Sequence, residues 1–209
     1  MAGDTLTVDL ALVLAADCST SIDAGDFRLE MEGLAAALRH PALAKAIASG
    51  EHRQIGLTLV LWSDRWTQHI VLPWTLLSDD ASLAGAAAHI LTIERKSQPG
   101  GTGLAAAIDY AALMLEALPF ATERRAIDVS GDGEDNEGGS AAAARDRAVA
   151  RGVTINGLPI LSGSSRLEDY YRTQVIGGPG AFIEPATDIM SFKDTILRKL
   201  LKEIGRPSV

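Results

Sequence analysis

Cysteine is almost missing from this sequence: Cys18 stands alone among 209 residues. A lone thiol excludes an internal disulfide framework. That suits a reducing compartment, and equally a disulfide-free periplasmic protein. Long apolar runs are missing too. No stretch of eighteen apolar residues occurs, so the sequence offers no membrane-spanning helix. The opening Met1 to Thr5 carries no basic region and no hydrophobic stretch before the first strand, so no signal peptide is read there. Localisation is therefore open: cytoplasmic, or periplasmic or secreted if a signal peptide has been removed. Positive charge is in deficit, with 19 Lys and Arg against 27 Asp and Glu and a net charge of −8. Nucleic-acid binding needs a basic face, and the pairs Arg124-Arg125 and Arg198-Lys199 read as solvated ends of elements. The four histidines show no metal-ligand spacing, and no Gly-x-Ser-x-Gly elbow marks a serine hydrolase.

What remains is an ordinary globular composition, 47% hydrophobic and 22% charged, in a chain of one-domain length. Val8 to Ala16 is a near-continuous apolar run, the mark of a strand covered on both faces. Further strands are predicted at Ile55–Trp62, Trp66–Leu72 (an edge strand in a hairpin), Ala126–Ser130, Val153–Leu161 and residues 180–185. Helical spacing predicts a helix behind Asp23 running to Arg39, with Pro41 breaking or restarting it. Other helices are predicted up to Ile90, over Leu104–Leu118, over residues 140–151, near Leu167–Val175 and over Ser191–Ile204. This alternation predicts an α/β, doubly wound fold. Its central sheet is mostly parallel, with one antiparallel edge strand and helices on both faces. No linker or composition shift divides the chain, so residues 1–209 are read as one domain.

In an open parallel sheet, ligands bind beyond the carboxyl ends of the strands. Three polar clusters are predicted there: Asp17-x-Ser19-x-Ser21 after the first strand, Thr102 before a helix, and Asp132 after the Ala126–Ser130 strand. Carboxylate and hydroxyl oxygens suit a hard cation. A loop turning around an ion points alternate side chains inward, which leaves Cys18 and Thr20 facing away. Taken by itself, Asp17-x-Ser19-x-Ser21 reads first as a cap and turn cluster.

The three clusters in this order resemble the metal-ion-dependent adhesion site of von Willebrand factor A domains. Val71-Leu-Pro-Trp74, Ile127-Asp-Val-Ser-Gly-Asp132, Ile155-Asn-Gly-Leu-Pro159 and Val175-Ile-Gly-Gly-Pro-Gly180 are similar to a bacterial branch of that superfamily catalogued as a domain of unknown function. The likeness runs over about residues 7–204. It implies a metal site in which Ser19, Ser21 and Thr102 offer hydroxyls and Asp17 and Asp132 act largely through water. The implied ion is Mg²⁺, with Mn²⁺ or Ca²⁺ as substitutes, and its free position takes an Asp or Glu from a protein partner. The chain departs from the family pattern at Cys18-Ser19-Thr20, where Val-Ser-Gly is usual, and at Gly103, where Ser is common. Neither departure removes a ligand.

The function this implies is metal-dependent protein binding without catalysis. One alternative is a magnesium-dependent phosphoryl-transfer enzyme using Asp17. That chemistry wants a second carboxylate two residues on and a nearby lysine; position 19 is Ser and neither metal loop holds a lysine. The other is a scaffold with a structural metal. The run Asp132 to Glu137 fails as a calcium loop, because Glu137 stands where Gly is needed and Ala143 where Glu is needed. Glu134, Asp135 and Glu137 are read as solvated rim charges. Asp128, inside a buried strand, is expected to pair with an arginine such as Arg124 or Arg125. Cys18 reads as a small packed thiol, and Trp62, Trp66 and Trp74 as core or sheet-edge packing.

Overall fold

The computed structural model describes residues 6–95, 100–163 and 165–205. Five strands form one sheet: β1 (Leu10–Asp17), β2 (Ile55–Trp62), β3 (Gln68–Leu77), β4 (Arg125–Gly131) and β5 (Val153–Pro159). Their order across the sheet is β3-β2-β1-β4-β5, parallel throughout except for β3, which runs antiparallel on one edge. Chain order reverses on either side of β1. The crevice at the carboxyl ends of β1 and β4 is therefore the topological switch point, where such sheets bind ligands.

The helices are α1 (Ala24–Leu38), α2 (Pro41–Ala48), α3 (Asp80–Ile90), α4 (Leu104–Glu116), α5 (Ala141–Val149), α6 (Ser165–Tyr170) and α7 (Phe192–Ile204). The two faces of β1 show why they lie on both sides. Leu10, Leu12, Leu14 and Ala16 join a core with α1, α2, α3 and α7, whereas Ala11, Val13 and Ala15 join a second core with α4 and α5. Side chains alternate along a strand, so an unbroken apolar run feeds both cores.

Local signals hold at the helix starts. The Asp23 carboxylate accepts the Gly25 and Asp26 amides and starts α1. Pro41 ends nothing that continues; it opens α2 as the first helical residue, with His40 Nδ1 accepting the Ala42 amide. β3 reaches further than the predicted Trp66–Leu72. It tolerates Pro73 because it is an edge with a register shift, where the Thr58 hydroxyl donates to the Leu72 carbonyl at 2.7 Å.

Four expectations are corrected. Residues 180–185 form no continuous strand; Ile183 and Ala186 make isolated bridges to Gly157 and Ile160, and Pro185 between them has no amide to donate. The partner of Asp128 is a lysine: Lys199 of α7 lies wholly buried with its Nζ 2.5 Å from Asp128 Oδ1 and 2.8 Å from Glu203 Oε1. Arg124 is no solvated end either, since its guanidinium donates to the Glu203 and Ile204 carbonyls that close α7. Of the tryptophans, Trp62 is core and Trp74 packs edge-on against Phe120, but Trp66 at the hairpin tip is 85% exposed. Among the described residues no helix is long and apolar enough to cross a membrane.

Candidate metal centre

β1 delivers Asp17 to the switch point fully buried. Its Oδ1 accepts the Ser19 amide at 2.8 Å, which folds the chain back so that Ser19 and Ser21 share a face. The Ser19 and Ser21 hydroxyls are 3.1 Å apart, and Ser21 Oγ donates to Asp132 Oδ1 at 2.6 Å. Thr102 joins from the second loop: a Cβ placed on Gly133, the residue after Asp132, would lie 3.1 Å from Thr102 Oγ1. All five predicted residues therefore gather at one end of the sheet. Of the two residues expected to face away, Cys18 turns into the core, where burial pushes its thiol up to about 12. Thr20 points out and donates to the Gly100 carbonyl at 3.0 Å, tying the first loop to the second.

Further contacts hold this end in place. Arg95 donates to the Ser19 carbonyl at 2.9 Å. Gly103 donates its amide to the Ser63 carbonyl at 2.6 Å, and a Cβ at 103 would sit 2.5 Å from the Asp64 carbonyl carbon. The β2–β3 turn thus leaves no room for the serine that the resemblance would put there. The acidic loop also does more than line the rim. Asn136 Oδ1 accepts the Thr102 amide at 2.8 Å, Glu137 Oε1 accepts the Gly101 amide at 3.1 Å, and Asp135 Oδ2 accepts the Ala105 amide at 2.8 Å. The residue before α4 is Gly103, which has no capping side chain, so Asp135 supplies that cap from another loop. Asp135→Ala is expected to lower stability by about 1–2 kcal/mol in urea unfolding. A change within error would show that the cap is redundant.

Burial dominates the electrostatics. Asp17 is pushed up to about 7, against the Ser19 hydrogen bonds that lower it. One of its oxygens, Oδ2, has no protein partner. Beneath it Glu30 of α1 is fully buried, accepts the Ser130 hydroxyl at 2.9 Å and is pushed up to about 8. Sequence reading passed over Glu30, although a signal was there: it lies on the apolar stripe of α1 with Phe27, Met31 and Leu34. It also passed over Tyr171, fully buried in the π-helical turn Tyr171–Val175 after α6. No group of three or more His, Cys, Asp or Glu that could hold a metal occurs among the described residues. The donor set here is two carboxylates and three hydroxyls, with one buried carboxylate oxygen left over. That set fits a hard divalent cation that keeps part of its water shell.

The family model described as "Protein of unknown function (DUF1194)" matches residues 7–208. This chain is a DUF1194 protein. No curated protein matches it. Its fold is that of a von Willebrand factor A domain, as solved structures of low identity show. Proximal thread matrix protein 1 from the mussel byssus superposes with TM-score 0.69 at 13% identity, over 96% of this chain and 49% of that one. A second structure of that protein, with a zinc-occupied MIDAS motif, gives 0.64 at 16%, over 94% and 46%. The von Willebrand factor type A protein from Catenulispora acidiphila gives 0.63 at 16%, over 96% and 44%. The DUF1194 chain thus spans about half the length of each of these three.

Proposed function

We propose that this chain, as one von Willebrand factor A-like domain, binds a divalent cation and through it a carboxylate of a protein partner. The observation that carries the reading is the convergence of Asp17, Ser19, Ser21 and Asp132 through successive contacts, with Thr102 alongside. Ser19, Ser21 and Thr102 are assigned as hydroxyl ligands, and Asp17 and Asp132 as carboxylates acting directly or through water. With so few protein charges at the ion, it supplies an electrophilic position for an outside Asp or Glu. Mg²⁺ is the assigned ion because every donor is a hard oxygen and Mg²⁺ characteristically keeps several of its waters, with Mn²⁺ or Ca²⁺ as substitutes. The zinc in the mussel protein belongs to that protein. Phosphoryl transfer at Asp17 gains no support from Lys199, which is committed to Asp128 and Glu203.

Metal binding to the folded state raises its melting temperature in proportion to occupancy. Mg²⁺ or Mn²⁺ is expected to raise the wild-type Tm by several degrees over the chelated protein, and not to raise that of Ser19→Ala or Asp132→Ala. If Mg²⁺, Mn²⁺ and Ca²⁺ all leave Tm unchanged and give no heat in calorimetry, the reading is lost. Pull-down from the host proteome with Mg²⁺ and with chelator then tests the interaction. Partner capture that survives Ser19→Ala would reduce the ion to a structural part.

A further inference from the structure

Asp17 and Tyr171 come from distant parts of the chain, and each carries a buried oxygen with no protein partner, Asp17 Oδ2 and the Tyr171 hydroxyl. Both face the same residue. A Cβ built on Gly131 would lie 2.9 Å from Asp17 Oδ2 and 3.1 Å from the Tyr171 hydroxyl. Each oxygen is thus within 3.1 Å of one point on the side-chain face of Gly131, which keeps the two close enough for one water lying beside that glycine to bridge them. The two groups are also complementary, since a phenol has a hydrogen to donate and a carboxylate oxygen accepts.

The backbone is arranged around this ring. The Ile176 amide bonds to the Tyr171 carbonyl, five residues back, which is the π-helical widening that turns Tyr171 inward. A Cβ on Gly157 of β5 would stand 2.6 Å from the Tyr171 ring. Glycines at 131 and 157 therefore clear a channel across β4 and β5 for one phenol to reach the Asp17 end of the sheet. Leaving a buried hydroxyl and a buried carboxylate oxygen both unmatched is costly, so a packing role for the ring does not account for the hydroxyl.

We infer that Tyr171 is a positioning residue of the metal centre: its hydroxyl, through one water, holds Asp17 Oδ2 and so fixes the carboxylate that faces the ion. This rests on the metal-site reading above. Hydrogen-bond partners behind a ligand commonly carry ten- to hundredfold in metal affinity.

The test uses the full chain and Mg²⁺ alone, with wild type, Tyr171→Phe and Ser19→Ala compared by calorimetry, and with urea unfolding in chelator as a second measurement. Phenylalanine keeps the ring and deletes the hydroxyl. The expected result is an Mg²⁺ Kd raised about tenfold or more in Tyr171→Phe, with chelated stability nearly unchanged. A near-UV tyrosine difference signal on Mg²⁺ addition should also appear in wild type and vanish in the variant. Wild-type affinity in Tyr171→Phe, whether or not the chelated protein is weakened, overturns the positioning role while the loss in Ser19→Ala keeps the metal site. If wild type takes up no Mg²⁺, the site and this inference fall together.

Discussion

Lys199→Met is expected to lower stability by on the order of 3–5 kcal/mol, measured by urea unfolding at neutral pH. The Lys199 side chain is fully buried between two carboxylates that are themselves buried, Asp128 in the middle of β4 and Glu203 one turn along α7. Glu203 also accepts from Asn156 of β5 at 3.0 Å, so the lysine ties α7 to two strands at once. Methionine fills a similar volume but leaves two acids in a low-dielectric site with no counter-charge. Even beside Lys199, burial pushes Asp128 up to about 7. Without it, Asp128 must take up a proton, or water must be drawn in around both acids. Adding Asp128→Asn and Glu203→Gln to Lys199→Met is expected to restore most of the loss, because a neutral, shape-matched set needs no counter-charge. A single variant within about 1 kcal/mol of wild type would show that the three groups do not act as one charge-paired unit.

The contrast with the sequence reading is physical. β1 was legible because burial on both faces demands an unbroken apolar run, and the start of α1 because a cap acts within three residues. The five candidate ligands were legible for a related reason: each loop carries its own local mark, and only their convergence needed the fold. What escaped acts across long separations. Nothing near Asp128 announces that a helix some seventy residues later brings a lysine to it. Asp135 caps a helix thirty residues upstream, so its loop looked like surplus charge. Residues 180–185 carry a short apolar run, Ala181 to Ile183, that reads as a strand from sequence alone. Pro185 cannot donate to a ladder, and the segment instead touches β5 at separate points.

Glu30 offers the second large effect, and its sign is opposite to that of an ordinary salt-bridged acid. The group is fully buried under the candidate metal centre, takes the Ser130 hydroxyl on Oε1 and has no protein partner on Oε2. Desolvation dominates, with repulsion from Asp17, Asp132 and Asp128 on the same side, and the Ser130 hydrogen bond is the opposing influence; together they push it from 4.5 up to about 8. The folded state therefore holds a proton that the unfolded chain releases. Below about pH 4.5 both states are protonated and nothing is lost. As pH rises from there towards 8, the unfolded state ionises freely while the folded state does not, and stability falls. Glu30→Gln keeps the shape and the acceptor for Ser130 but cannot ionise. In chelator, to keep cations from Asp17 and Asp132, the variant is expected to match wild type near pH 5. It should exceed wild type by on the order of 2–4 kcal/mol at pH 8, read from urea midpoints across that range. Asp17 and Asp128 contribute their own pH dependence to both proteins, so the difference between the curves isolates Glu30. Parallel curves from pH 5 to 8 would mean that Glu30 ionises in the fold as readily as in water, through hydration its burial does not suggest.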